Sequence, residues 1–270
     1  MVRYPVGVVA GITPFNFPVM VPLWMVPLAL AAGNTFVLKP SERTPLSAVR
    51  LVELAAEAGM PEGVLNLVHG GKEVVDALLR HPGVDAVSFV GSQPVAEHVY
   101  KTAAAHGKRV QALAGAKNYH IVHDDANIEG AVQSVAGSAF GCAGQRCMAG
   151  SVVVAVESIA DRFLNALVAA AERVRVGNGL EEDTEQGPLI RAEHRENVLE
   201  RIEHGLKEGA VMVRDGRDLV EQMNKGFFLG PTILDQVRPE MTVAQEELFA
   251  PVLSVIRVRD LNEAIQVVNR

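Results

Sequence analysis

Cysteine is nearly absent: there are two in 270 residues, Cys142 and Cys147. Two thiols cannot build a disulfide framework, so the expected compartment is reducing, the cytoplasm. Positive charge is not in excess either. Lys and Arg number 25 against 32 Asp and Glu, for a net charge of −7, and no basic patch stands out, which removes nucleic acid from the expected partners. No secretory leader is visible, since the opening MVRYPVGVVAG already reads as a strand. Long apolar runs are missing apart from Phe17 to Gly33, FPVMVPLWMVPLALAAG. That run is short for a membrane span and is interrupted by Pro18, Pro22 and Pro27, so it is expected as a buried helix stopped at Gly33. Repeats, low-complexity tracts and linker-like stretches are lacking too. What remains, 49% hydrophobic and 21% charged, is a globular composition for one large domain or two small ones.

Strand and helix patterns alternate through the first 114 residues. Apolar strands are expected at Val6–Ala10, Thr35–Leu38, Val64–Val68, Asp85–Val90 and Arg109–Leu113. Helices are expected between them, one with Thr44 as N-cap and Gly59 as its stop. Repeated βα units imply a parallel sheet covered on both faces, which binds ligands beyond the carboxyl ends of its strands. From residue 115 the texture changes. A helix over Asn127–Phe140, a strand at Ser151–Val156, a helix capped by Ser158, a polar loop GNGLEEDTEQGP, a charged helix Ala192–Glu208 and shorter strands suggest a second α/β domain. The expected boundaries are 1–114 for a partial cofactor-binding domain, 115–258 for a catalytic domain and 259–270 for the start of a return to the first.

The two cysteines share the segment GCAGQRC, Gly141 to Cys147. Cys147 is a candidate nucleophile, because a thiolate attacks carbonyls and its thiol pKa can be tuned; the glycines at 141 and 144 would let backbone approach a substrate. Alternatively, both cysteines are small buried hydrophobes. No second Cys/His cluster completes a metal site, so no metal is expected. Asn16, in TPFNFP, follows the first strand, where an amide could donate to an oxyanion or merely serve a turn. Lys39 and Glu42, in LKPSE, follow the second strand; there a carboxylate could take ribose hydroxyls, or the segment is a solvated loop. Gly91 and Ser92 open a helix after a strand, a place for a phosphate.

In order, ITPFNFP, LKPSE, FVGS, GQRC and EELFAP resemble the aldehyde dehydrogenase family, over essentially the whole chain. The long GITPFNFPVMVPLWMVPLALAAGNTFVLKPSERTP segment, with HGKRVQAL and AGQRCMA, is similar to its CoA-acylating, methylmalonate-semialdehyde branch. The resemblance implies a Rossmann-type cofactor domain plus an α/β catalytic domain, cut at both ends, with NAD as cofactor and CoA as co-substrate. Methylmalonate or malonate semialdehyde would become propionyl-CoA or acetyl-CoA through a cysteine thioester. It implies Cys147 as nucleophile, Asn16 and the Cys147 N–H for the oxyanion, and Thr13, Phe15, Lys39, Glu42, Gly91, Ser92, Glu247 and Phe249 for the dinucleotide. Arg146 is a further candidate, for a substrate carboxylate, since a guanidinium binds one bidentately. Cys142 receives no role.

Family members that hydrolyse their thioester carry a glutamate in a LELGG-type motif. Aligned on AGAKN, its place here holds Leu113 in QALAGAKN, so water attack should be slow and a thiol acceptor is expected. Ala96 and Ala250 stand where relatives often have glycine. The expected partners are a small aldehyde and CoA, without nucleic acid or membrane, and a homo-oligomeric parent. The 270 residues alone are expected to be a poor catalyst. The alternatives left open are a hydrolytic aldehyde dehydrogenase, with Glu247 as a replacement base, and an inactive cofactor-binding fragment.

Overall fold

The computed structural model describes residues 4–219, 223 and 226–270. Residues 1–3, which the sequence reads into the first strand, lie outside the described residues. The chain divides into two compact units, Met1–Gly115 and Ala116–Arg270.

The first unit holds β1 (Val8–Ile12), α1 (Met20–Ala31), β2 (Thr35–Lys39), α2 (Leu46–Glu57), β3 (Leu65–Leu67), α3 (Lys72–Arg80), β4 (Ala86–Gly91), α4 (Gln93–Ala105) and β5 (Arg109–Ala114). The strands form one parallel sheet in the order β3-β2-β1-β4-β5. The chain winds outward from β1 through β2 and β3, then restarts at β4 on the other side of β1. That reversal is the topological switch point where doubly wound sheets open a crevice for ligands. Helices cover both faces. Val75, Leu79 and Val99 pack on one side with Ile12 and Phe89, and Val21 and Met25 on the other with Phe36 and Leu38.

Two local expectations fail in this unit. Helix α1 is not buried all round: Leu23, Trp24 and Leu28 lie exposed while Val21, Pro22, Met25 and Val26 are inside. An apolar sequence with no polar face carries no signal for which side meets the sheet. Thr44 does not cap α2, whose N-cap is Pro45; its hydroxyl donates instead to the Phe15 carbonyl at 3.2 Å.

The second unit holds β6 (Asn118–Val122), α5 (Ile128–Phe140), β7 (Gly150–Val156), α6 (Glu157–Glu172), α7 (Ala192–Glu208), β8 (Val211–Arg214), β9 (Thr232–Asp235), a one-turn helix α8 (Thr242–Gln245), β10 (Val252–Val258) and α9 (Leu261–Val268). Its sheet runs β6-β7-β10-β9-β8, parallel except for the β8–β9 pair. The central strands β7 and β10 are buried on both faces, as parallel strands between helices must be, hence their mostly apolar sequences. Asn127 caps α5 by accepting the Gly130 N–H at 2.9 Å, but Ser158 does not cap α6, whose N-cap is Val156. Residues 259–270, expected to begin a return to the first domain, form α9, which packs on β7 and β10.

Candidate active site

The residues predicted from sequence in the first unit follow three neighbouring strands at one edge of the sheet. Thr13 to Asn16 follow β1, Lys39 ends β2, and Gly91 and Ser92 close β4 and open α4. Thr13 is 4% exposed; its N–H donates to the Lys39 carbonyl at 3.1 Å, and its Oγ1 is buried without a partner in the protein. A buried hydroxyl left unpaired costs about 1–3 kcal/mol, a cost that a ligand oxygen could relieve. The Lys39 ammonium is buried and donates to the Gly70 carbonyl at 3.0 Å and to Glu42 Oε2 at 3.4 Å. Lys39 is thus the fixed half of the pair, and Glu42, with its side chain 57% exposed, is the free half. Partial burial pulls the Glu42 carboxyl up, but its own backbone N–H and the Lys39 charge outweigh that and hold it below the usual range. Ser92 is the exposed N-cap of α4, and its side chain does not close the helix end, which leaves N–H groups for an anion. A buried orphan hydroxyl, an ion pair with an outward carboxylate and an open helix N-terminus fit a dinucleotide.

In the second unit the segment bearing the candidate nucleophile is not helical. Cys142 (φ 54°), Ala143 (φ 53°) and Gly144 (φ 65°) are successive left-handed residues between α5 and β7. A left-handed conformation costs about 1–2 kcal/mol for each residue that carries a Cβ. The turn puts Cys142 on the surface and leaves Cys147 half-buried, both as free thiols. The glycines expected to let backbone approach a substrate are also in close contact within the protein. A Cβ on Gly144 would lie 2.1 Å from the Ala250 carbonyl oxygen, and one on Gly141 2.9 Å from the Arg146 guanidinium. Close contact within the protein is what those positions require.

Arg146, expected as a candidate for a substrate carboxylate, has partners within the protein. Its guanidinium donates to the Ser138 carbonyl at 2.7 Å and to the Gly137 carbonyl, near the end of α5. It braces the loop against that helix.

Glu247 and Phe249 lie between α8 and β10. Glu247 is exposed, yet the protein crowding its carboxyl raises it above the usual value, an effect only partly offset by the Ala116 N–H and the Lys117 charge. Phe249 takes φ 51°, and its carbonyl lies 2.9 Å from His194 Nε2.

Sequence reasoning missed the residues that hold these loops. Gln145 is buried; its Nε2 donates to the Pro188 carbonyl at 3.3 Å and its Oε1 accepts the Ile190 N–H at 3.0 Å. Lys117 Nζ donates to the carbonyls of Val243 at 2.9 Å and Glu246 at 2.7 Å. Asn118 Nδ2 donates to the carbonyls of Cys147 at 2.8 Å and Ala149 at 3.1 Å. The one available signal was a lysine and an asparagine side by side at the start of a strand.

Leu113, at the carboxyl end of β5, is 46% exposed, and Gln111–Asn118 contains no acid. An exposed position at the crevice edge of the sheet is thus occupied by a side chain that cannot take a proton.

The aldehyde dehydrogenase family profile matches residues 1–270, the whole chain. This chain belongs to the aldehyde dehydrogenase family. It is 63% identical over 270 residues to malonate-semialdehyde dehydrogenase 2 of Geobacillus thermodenitrificans, covering 100% of this chain and 56% of that protein. Among solved structures it is similar to methylmalonate-semialdehyde dehydrogenase from Oceanimonas doudoroffii. That match has a TM-score of 0.93 and 51% identity, covering 97% of this chain and 54% of the other. Betaine aldehyde dehydrogenase from Staphylococcus aureus, solved with NAD+, matches with a TM-score of 0.92 at 38% identity, over 98% of this chain and 53% of its own. The chain spans about half the length of the relatives it matches. Among its described residues, no helix is long and apolar enough to cross a membrane.

In this aldehyde dehydrogenase chain Lys117 titrates away from its ordinary range. Burial lowers Lys117 to about 8 from an ordinary 10.5, against the pull of Glu247 and Glu246. Between those two values the unfolded chain binds the proton and the folded one does not, so stability contributed at this residue grows as pH rises. We expect the unfolding free energy of the protein, relative to Lys117→Met, to increase between pH 7.5 and pH 9.5 in urea titrations. A difference independent of pH would mean that the ammonium stays charged throughout.

Proposed function

We propose that the chain is the core of an NAD-dependent, CoA-acylating oxidoreductase acting on malonate or methylmalonate semialdehyde. The observation that carries this reading is a single half-buried thiol on a strained loop, Cys147, in a chain whose β5 edge offers no acid where hydrolytic relatives place their base. The similarity to malonate- and methylmalonate-semialdehyde dehydrogenases supports the substrate class.

Cys147 sulfur adds to the aldehyde carbon. The carbonyl π electrons move to oxygen, where the Cys147 N–H and, by the family resemblance, the Asn16 amide stabilise the charge. Bound NAD supplies a hydride acceptor. When the oxyanion collapses, the carbonyl re-forms, hydride leaves the carbon, and a thioester on Cys147 remains. The CoA thiolate then attacks that thioester and releases the Cys147 thiolate. The substrate's β-carboxylate leaves as CO2 and a proton takes its place, giving acetyl-CoA or propionyl-CoA. Thr13, Phe15, Lys39, Glu42, Gly91 and Ser92 hold the adenosine and pyrophosphate end, Glu247 the nicotinamide ribose, and Phe249 the ring. Arg146, committed to α5, is the weakest candidate for the substrate carboxylate. A net charge of −7 and two unpaired thiols support a cytoplasmic setting, and we propose a homo-oligomer by the family resemblance alone.

The test is NADH formation by the full-length protein from malonate semialdehyde with NAD and CoA, with acyl-CoA identified by mass spectrometry. Equal turnover of unrelated aldehydes would overturn the substrate assignment. The outward Glu42 carboxylate predicts the cofactor. It would accept ribose hydroxyls and repel a 2′-phosphate. Glu42→Gln should weaken NAD binding by about tenfold, the loss of one hydrogen bond to a charged group, and should narrow the preference over NADP. A wild-type protein that prefers NADP in parallel titrations would show that Glu42 does not face the ribose.

A further inference from the structure

Lys117 and Asn118 are adjacent, and Asn118 opens β6. Side chains alternate across a strand, and these two reach different loops. Lys117 grips the peptide that leads into Glu247, through the Glu246 carbonyl, and a second point one turn earlier at Val243. The neighbouring Ala116 N–H favours the ionised form of the Glu247 carboxyl. Asn118 grips the peptide that leaves Cys147 and a second point at Ala149. The two loops also meet directly, where Gly144 packs on the Ala250 carbonyl at a distance that excludes any side chain. Two successive residues, at the entry to β6, therefore tie down the loop bearing the thiol and the loop bearing the carboxylate.

We propose that Lys117 and Asn118 are positioning residues, with Lys117 setting Glu247 for the nicotinamide ribose and Asn118 setting the sulfur and backbone of Cys147 for attack. This rests on the assignment of Cys147 and Glu247 under Proposed function. The division of labour follows from the separate partners. Freeing the Cys147 carbonyl lets the nucleophile's peptide rotate, whereas freeing the Glu246 carbonyl lets the ribose carboxylate wander. A misplacement of about 1 Å at a reacting group can cost about a hundredfold in rate.

The experiment uses the full-length protein and four variants, Asn118→Asp, Asn118→Gln, Lys117→Met and Lys117→Arg. Asn118→Asp keeps the shape but replaces the donor with an acceptor facing two carbonyls. It should change the rate of Cys147 alkylation by iodoacetamide, followed by mass spectrometry, and lower kcat, each by about tenfold or more, with NAD affinity within about twofold. Lys117→Met should raise the NAD dissociation constant by about tenfold while Cys147 alkylation in the NAD-free protein stays within about twofold. Lys117→Arg, which keeps the charged donor, should recover most of that affinity. If Asn118→Asp does not fold, Asn118→Gln displaces the same amide by one methylene and should show the same split. A purely structural role predicts parallel losses in both readouts and no rescue; that pattern, or alkylation unaffected by Asn118→Asp, overturns the inference. Absence of aldehyde turnover in the wild-type protein would sink the proposed reaction alone, because alkylation and NAD binding are read without an aldehyde. A wild-type protein that does not bind NAD sinks the Lys117 half.

Discussion

Cys147→Ala should abolish NADH formation in the full-length protein, by about ten-thousand-fold or more, while NAD affinity should stay within about twofold. The size of the expected loss follows from covalent catalysis. Without the sulfur no tetrahedral adduct forms, so there is no alkoxide to push hydride out, and the oxyanion donors have nothing to stabilise. The selectivity follows from placement: every residue assigned to the adenosine and pyrophosphate end lies in Met1–Gly115, and Cys147 lies in the other unit. Cys142→Ala is the control. Cys142 is exposed and left-handed at φ 54°, a conformation that alanine tolerates no better and no worse, so activity should stay within about threefold, the scale of an exposed substitution. Loss of activity in Cys142→Ala with Cys147→Ala still active would exchange the two roles.

The doubly wound first unit was legible because parallel strands buried on both faces must be apolar runs; AVSFVG and TFVLK cannot be much else. The same logic found β7 and β10. It missed β6, NYHIV, whose polar residues serve the loops and a helix, as Asn118 does for Cys147 and His120 for Ser138 at 3.2 Å. The candidate nucleophile, Cys147, stood out by motif, but its surroundings did not. GCAGQRC contains the left-handed turn without announcing it, since two of its three left-handed residues are Cys142 and Ala143 rather than glycine. Arg146 illustrates the general limit. Its position beside Cys147 in sequence suggested a substrate contact, but direction is set by tertiary partners, here the carbonyls near the end of α5. Lys117 reaches its acceptors across 126 and 129 residues of sequence, a separation at which no local pattern carries information.

Deacylation should require CoA. In the full-length protein, aldehyde and NAD without CoA should give a burst of NADH about equal to the number of active sites, then a slow phase. Addition of CoA should restore steady turnover and yield an acyl-CoA. Hydrolysis of a thioester at neutral pH needs a base within about 3 Å of the attacking water or one water further away. The place that hydrolytic relatives give to that base is Leu113, at the carboxyl end of β5 and 46% exposed. A carboxylate built there would be solvated and ionised, so Leu113→Glu should raise CoA-independent turnover by about tenfold or more, a fraction of the roughly hundredfold or greater effect of a well-placed general base. Glu247 is the competing base. Crowding raises its carboxyl above the usual value, which brings it nearer the range useful for taking a proton, and Lys117 and the Ala116 N–H act against that rise. The two are separated by one comparison. If the slow phase without CoA runs as fast as turnover with it, and Glu247→Gln removes that phase, water is the acceptor and Glu247 its base. If the phase is slow and indifferent to Glu247→Gln, the thioester waits for a thiol, because QALAGAKN offers no carboxylate and its one amine, Lys117, is held by the Val243 and Glu246 carbonyls.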